Sequence, residues 1–202
     1  MPPAPECPDA VFVEDTVVVH GDLAVITRPG ADERKAETAG TEQVLRELGF
    51  RVAHIEAPGT LDGGDVLKHD GTVWVGLGGR TNREGIDQLA AHLAPLGAEV
   101  VAVPLTKALH LKSAVTALPD GTVVGWDPVV DDPGTWTSYL GVPEEPGAHV
   151  VLLDGSTVLM SSAAPRTRAL YEERGLRVVA VDVSEFEKLE GCVTCLSVRL
   201  RG

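Results

Sequence analysis

The sequence predicts an α/β protein built as a ring of repeated strand–turn–strand–helix–strand (ββαβ) units. Three observations carry that reading. Short β-branched runs meet at Asp-Gly or Gly-Asp pairs in four places, amphipathic stretches follow three of them, and each such stretch stops at a glycine leading into another β-branched run. A length of 202 residues suits one domain over 1–202, and 44% hydrophobic with 23% charged residues is the balance of an ordinary globular chain.

In the first unit, Val17-Val18-Val19 and Leu23-Ala24-Val25-Ile26 flank His20-Gly21-Asp22. Asp70-Gly71 precedes Thr72-Val73-Trp74-Val75 in the second. Asp120-Gly121 follows Val115-Thr116-Ala117-Leu118 in the third, and Asp154-Gly155 follows Val150-Val151-Leu152-Leu153 in the fourth. An Asp-Gly pair suits a type I′ turn, because both central residues must accept positive φ. Ile86, Leu89, Ala90 and Leu93 recur at helical spacing, Val44, Leu45 and Leu48 do so more briefly, and Pro165 with Ala169-Leu170 opens a third helix. Gly49, Gly97 and Gly175 stop these helices as left-handed caps. The third unit, over 136–141, is degenerate. Cys192 to Leu200 reads as the strands that open a further unit. Such units bury their faces only against neighbours, so the closed form is a ring. With no helix before Pro8-Asp9, that ring is expected to be one half-unit short.

Thirty acids against seventeen Lys and Arg give a net charge of −13, which argues against nucleic-acid or anionic-membrane partners. No apolar run approaches the roughly 18 residues of a membrane span. The opening, Met1 to Glu6, lacks the basic and apolar regions of a signal peptide. Three cysteines, Cys7, Cys192 and Cys195, are too few for a disulfide scaffold and suit a reducing, cytoplasmic setting.

Four positions at the starts of hairpins carry the chemistry: Glu14-Asp15, Asp62-Gly63-Gly64-Asp65, His110 and Cys195. In a ring, equivalent starts converge on the axis. Each residue also has a plain structural reading. Cys195 suits a small buried strand residue, His110 a satisfied core group, and the acids ordinary turn chemistry at strand ends. Cys192-x-x-Cys195 has redox-motif spacing and two sulfurs for zinc, but a strand-like context and no second ligand pair rank both below a nucleophile. Brought together, these groups make an acidic site that prefers a planar cation and attacks it with sulfur. Arg34 and Arg80, each at a helix start, suit the carboxylate of an amino acid whose other end is that cation.

Six blocks resemble one family in order from residue 8 to 200. They are Pro8 to Asp15, Ile26-Thr27-Arg28-Pro29-Gly30, Leu61 to Leu67, Gly76 to Asn82, Leu109-His110-Leu111-Lys112-Ser113 and Thr194-Cys195-Leu196-Ser197-Val198. Together they resemble dimethylarginine dimethylaminohydrolases. The resemblance implies the five-bladed, pentein-type α/β propeller shared with arginine deiminases and amidinotransferases. It implies Cys195 as nucleophile and His110 as general acid/base, with Glu14 and Asp62 gripping the guanidinium beside Asp15. Asp9 would face the α-ammonium, Arg34 and Arg80 would hold the carboxylate, and Leu189 would offer a backbone carbonyl. Glu190 replaces a more usual acid, and Cys192 stands where an aliphatic residue is common, which implies a structural role.

The implied reaction converts Nω-methylated arginine to citrulline and a methylamine through an S-alkylthiouronium on Cys195, with neither metal nor organic cofactor. The implied partner is that small substrate, bound by a monomer or homodimer. Arginine deiminase, amidinotransferase and a non-catalytic binding remnant remain the alternatives. Family members carry a further segment before the Pro-Asp block, with a loop that covers the substrate.

Overall fold

The computed structural model describes residues 4–200, so Met1 to Pro3 of the opening lie outside the described residues. Twelve strands in that range form four three-stranded sheets of one design. They are β1 (Val17–His20), β2 (Leu23–Ile26) and β3 (Arg51–His54); β4 (Val66–His69), β5 (Thr72–Leu77) and β6 (Glu99–Pro104). The other two are β7 (Val115–Ala117), β8 (Val123–Gly125) and β9 (Tyr139–Gly141); β10 (Val151–Leu152), β11 (Thr157–Ser161) and β12 (Arg177–Val181). In every sheet the first pair is antiparallel and the third strand runs parallel to the second.

A parallel third strand needs a crossover, usually a helix. The helices are α1 (Thr38–Glu47), α2 (Arg83–Leu93), the single turn α3 (Leu111–Ala114), α4 (Pro165–Glu173) and the single turn α5 (Ser184–Glu187), of which α1, α2 and α4 are crossovers. In the degenerate third unit, two short 3-10 turns at Asp127–Val129 and Pro133–Thr135 stand in for the helix, each with a proline in its first turn. Gly49, Gly97 and Gly175 are left-handed as expected.

The helices meet the sheets on the predicted stripes with two corrections. Ile86, Leu89 and Leu93 of α2 are buried against Val73 and Val75 of β5, each such side chain contributing about 1.5–3 kcal/mol. In α1 the buried face is Thr41 and Leu45, and Leu48 is 57% exposed because the helix ends before it. In α4 the buried residues are Thr167 and Tyr171, not Ala169-Leu170. Tyr171 Oη donates to Gly147 O at 2.7 Å, so a polar-tipped side chain fills the apolar seam.

The turns also divide. Asp70 and Gly71 both have positive φ, 50° and 75°, as a type I′ turn requires. At the third hairpin Gly121 N–H donates to Leu118 O at 3.1 Å and only Gly121 is left-handed, a three-residue loop closed by a bulge. At the fourth, neither Asp154 nor Gly155 has positive φ, and Asp154 Oδ1 instead accepts from Ser156 N–H at 2.8 Å. There the aspartate side chain makes the turn.

A short helical turn leads into the first strand of every sheet: Val13–Thr16, Gly63–Asp65, α3 and Glu145–Ala148. The apolar Val11-Phe12 leads into the first of these turns rather than forming a strand, with Phe12 N–H donating to Asp9 O at 2.9 Å. The strands expected over Cys192 to Leu200 are absent too; residues 193–196 form a turn and the chain to 200 is irregular. Strand-like alternation supplies one side of a ladder, and among the described residues no strand pairs with this one. No helix of the described residues is long and apolar enough to cross a membrane.

Candidate active site

The turns before β1, β4 and β7 bring acids and an imidazole together. His110 Nε2 donates to Asp62 Oδ2 at 2.9 Å and lies 3.8 Å from Asp15 Oδ1. Asp62 Oδ1 accepts from Gly30 N–H at 2.8 Å, and Asp15 Oδ1 accepts from Gly64 N–H at 2.8 Å. Asp65 ties the loop after β5 to α3 behind them, accepting from Thr81 Oγ1 at 2.6 Å and from Leu111 N–H, next to His110, at 2.9 Å. A Cβ on Gly64 would stand 2.6 Å from Asp15 Oδ1 and 2.9 Å from the His110 ring, so this close approach explains one half of the Gly63-Gly64 pair. Lys112 Nζ donates to Glu14 Oε1, while Glu14 Oε2 is buried without a partner.

The electrostatics follow from burial among charges. Burial pulls His110 down, but the Asp62 hydrogen bond and the charges of Asp15, Asp65 and Asp62 outweigh it and carry the imidazole up to about 9. Burial pushes Glu14 up to about 7 against the pull of Lys112, and Asp65 up to about 6. For Asp15 burial also raises, yet the charges of His110 and Arg34 win and hold it below the usual carboxylate range. The cluster is short of positive charge, which a bound cation would supply. Asp15, Asp62 and His110 also present ligand atoms within 4.8 Å of one another, though each side chain already hydrogen-bonds within the protein.

Cys195 reaches this cradle through its backbone: its carbonyl accepts from Glu14 N–H at 3.1 Å. His110 and Cys195 thus flank the same two-residue acidic step. The thiol is buried beside Cys192, with the sulfurs 3.3 Å apart, and packs with Phe12 and Phe186. The Cys192 contact, burial and the Glu14 charge push the Cys195 thiol well up.

The outer residues are less uniform. Arg34, expected to hold a substrate carboxylate, is buried between acids of its own chain. It donates to Asp15 Oδ2 at 2.6 Å, to Glu37 Oε2 at 2.8 Å, and to the carbonyls of Phe12 and Asp9 at 3.3 and 3.4 Å. It stands not at the start of α1 but in the preceding 3-10 turn Asp32–Glu37, which turns it inward. Arg80 keeps one buried guanidinium nitrogen, Nη1, without a partner. Asp9 is half-buried, and Leu189 is 64% exposed. Sequence reasoning did not assign roles to Glu37, Thr81 or Lys112. The Arg34-x-x-Glu37 spacing, one helical turn, was the available signal for the first.

A buried acid cradle, an imidazole and a thiol beside four three-stranded sheets of one design point to the guanidine-modifying class of enzymes. A family model described as arginine deiminase matches residues 4–142. The chain is 62% identical over 199 residues to N(G),N(G)-dimethylarginine dimethylaminohydrolase of Streptomyces coelicolor, covering 98% of this chain and 77% of that protein. It is 37% identical to the Pseudomonas aeruginosa protein of the same name, covering 98% and 80%. On the solved Pseudomonas aeruginosa structure, a cysteine-to-serine mutant complexed with citrulline, it superposes with a TM-score of 0.91 at 35% identity, covering 99% and 80%. The N-terminal domain of the cyanobacterial arginine dihydrolase ArgZ shares the fold, with a TM-score of 0.84 at 24% identity over 98% of this chain and 77% of that one. The chain belongs to the dimethylarginine dimethylaminohydrolase family and has its pentein fold.

Proposed function

We propose that this protein hydrolyses Nω-methylated arginine to citrulline and a methylamine, with Cys195 as nucleophile and His110 as general acid/base. The observation that carries this reading is His110 held by Asp62 as an imidazolium at neutral pH, inside a cradle with an uncompensated Glu14 oxygen. Glu14 and Asp62 grip the guanidinium, with Asp15 beside them. The cation lowers the neighbouring Cys195 thiol, whose proton leaves to solvent. Sγ then bonds to the guanidinium carbon. His110 gives its proton to the departing amine as the C–N bond breaks, leaving an S-alkylthiouronium on Cys195. Now neutral, His110 takes a proton from water as its oxygen bonds to the same carbon. Collapse releases citrulline and restores the sulfur. No step draws on a metal or organic cofactor.

Asp9 faces the α-ammonium, Leu189 offers its carbonyl, and Arg80, with its spare buried nitrogen, holds the carboxylate. Arg34 contributes by keeping Asp15 ionised rather than by a free N–H. The free thiols suit the cytoplasm.

The test compares citrulline released from asymmetric dimethylarginine, monomethylarginine and arginine, with quenched digests searched for an adduct on the Cys195 peptide. Turnover of the methylated substrates with that adduct is expected. Because the matching family model is that of arginine deiminase, arginine is the rival substrate; citrulline from arginine alone would replace the assignment. Turnover persisting in Cys195→Ala would remove the nucleophile.

A further inference from the structure

The sulfur contact beside the cradle is the feature that the reaction leaves unused. Cys192 and Cys195 face each other across one turn with Sγ atoms 3.3 Å apart, both side chains buried. A disulfide needs about 2.05 Å, so closure asks for roughly 1 Å of sulfur movement. The turn over 193–196 belongs to no sheet among the described residues, so that movement breaks no ladder. Thr194 Oγ1 sits 3.2 Å from Cys192 Sγ, a hydroxyl placed to stabilise negative charge on that sulfur. Thr194, between the two cysteines in sequence, also lines a cavity of about 340 Å³ together with Glu14, Lys112 and Ser197, room for a peroxide-sized molecule.

We infer that Cys192 and Cys195 form a redox-active dithiol that closes reversibly into an intramolecular disulfide under peroxide, taking the Cys195 sulfur out of the reaction. The consequence for activity rests on Cys195 being the nucleophile; the disulfide itself does not. The hydrogen bond from the Cys195 thiol draws Cys192 down, with His149 and the Thr194 hydroxyl adding to it, so Cys192 is the sulfur that reacts first. Its thiolate attacks one peroxide oxygen, breaking the O–O bond, to give a sulfenic acid and hydroxide. The hydroxide takes up the proton that Cys192 gave up on ionising; Cys195 sulfur then displaces the sulfenic oxygen, which leaves as water with the Cys195 thiol proton. Two thiols and one peroxide become one disulfide and two waters, and an external dithiol reverses the closure.

The experiment uses the full chain in a Cys7→Ser background, to exclude crosslinks through the third cysteine. Reduced protein is treated with stoichiometric hydrogen peroxide, then followed by peptide mass with alkylation and by citrulline release. The expected peptide spanning 192–195 is lighter by two hydrogens and resists alkylation at both sulfurs. Citrulline release falls at least about tenfold and returns with dithiothreitol. In Cys192→Val, which lacks the sulfur that reacts first, the dithiothreitol-reversible loss of citrulline release under stoichiometric peroxide should disappear. Two alkylatable sulfurs after treatment, or a sulfinic acid without a disulfide, would overturn the inference. A disulfide forming in protein that releases no citrulline even when reduced would support the dithiol and remove the functional reading instead.

Discussion

The acid–imidazole cradle and the thiol turn are held in different ways. Asp15, Asp62, Asp65 and His110 are each fixed by hydrogen bonds that run between separate units, and the turns carrying them lead directly into β1, β4 and β7. Cys195 stands on a turn outside every sheet and meets the cradle through one backbone hydrogen bond to Glu14. The contrast teaches that the acid–imidazole half of the site is part of the fold's own stability, whereas the proposed nucleophile is an addition to it. Changes in the cradle therefore act on folding as well as on turnover. Changes at the thiol act on turnover alone.

The largest effect that sharpens this contrast is expected from Cys195→Ser. Citrulline release falls by about 10³-fold or more, while the thermal midpoint stays within a few degrees of the parent. A collapse of the midpoint in that variant would erase the distinction. Arg34→Met comes next, since it strands Asp15 and Glu37 as buried acids without their cation. Denaturant unfolding is expected to show a loss of about 3–5 kcal/mol. A loss below about 1 kcal/mol would mean that the cradle does not support the fold.

A smaller effect is the pH dependence of unfolding. The folded imidazole of His110 is raised from 6.5 to about 9, so its contribution is complete below pH 6.5 and disappears as pH rises through about 9. Glu14, raised from 4.5 to about 7, has the same sign in a lower window. Stability should thus decline from pH 6.5 to 9 by on the order of 3 kcal/mol, and His110→Gln should flatten that limb. The smallest effect is Leu189→Ala on the thiol side. Its side chain is 64% exposed and its proposed role uses the carbonyl, so stability should change by under about 0.5 kcal/mol with kcat/KM preserved.

Periodicity and turn chemistry made the four units legible, down to the degenerate third, because those signals are local. What escaped depended on partners. Cys192 to Leu200 alternates like a strand, but a ladder needs a second strand that the alternation cannot specify. Tyr171 and Thr167 carry the buried face of α4 because Tyr171 reaches a carbonyl in the neighbouring turn, which no apolar count detects. Arg34 was expected at a helix start holding a substrate carboxylate, yet five hydrogen-bonding acceptors from distant and local chain fix it inside. Cys195 was expected to open a further pair of strands and does not among the described residues, whereas the converging acids and His110 were readable as repeat-equivalent positions. Their bracing by Glu37, Thr81 and Lys112 was not, since it depends on how the units dock.

The half-satisfied carboxyl group of Glu14 has a calorimetric consequence. Poised near 7, it is a mixture of protonated and ionised forms at neutral pH, and an arriving cation favours only the second. Ligand capture should therefore expel a fraction of a proton. Its apparent heat should vary with the ionisation enthalpy of the buffer, and the slope of that variation counts the protons expelled.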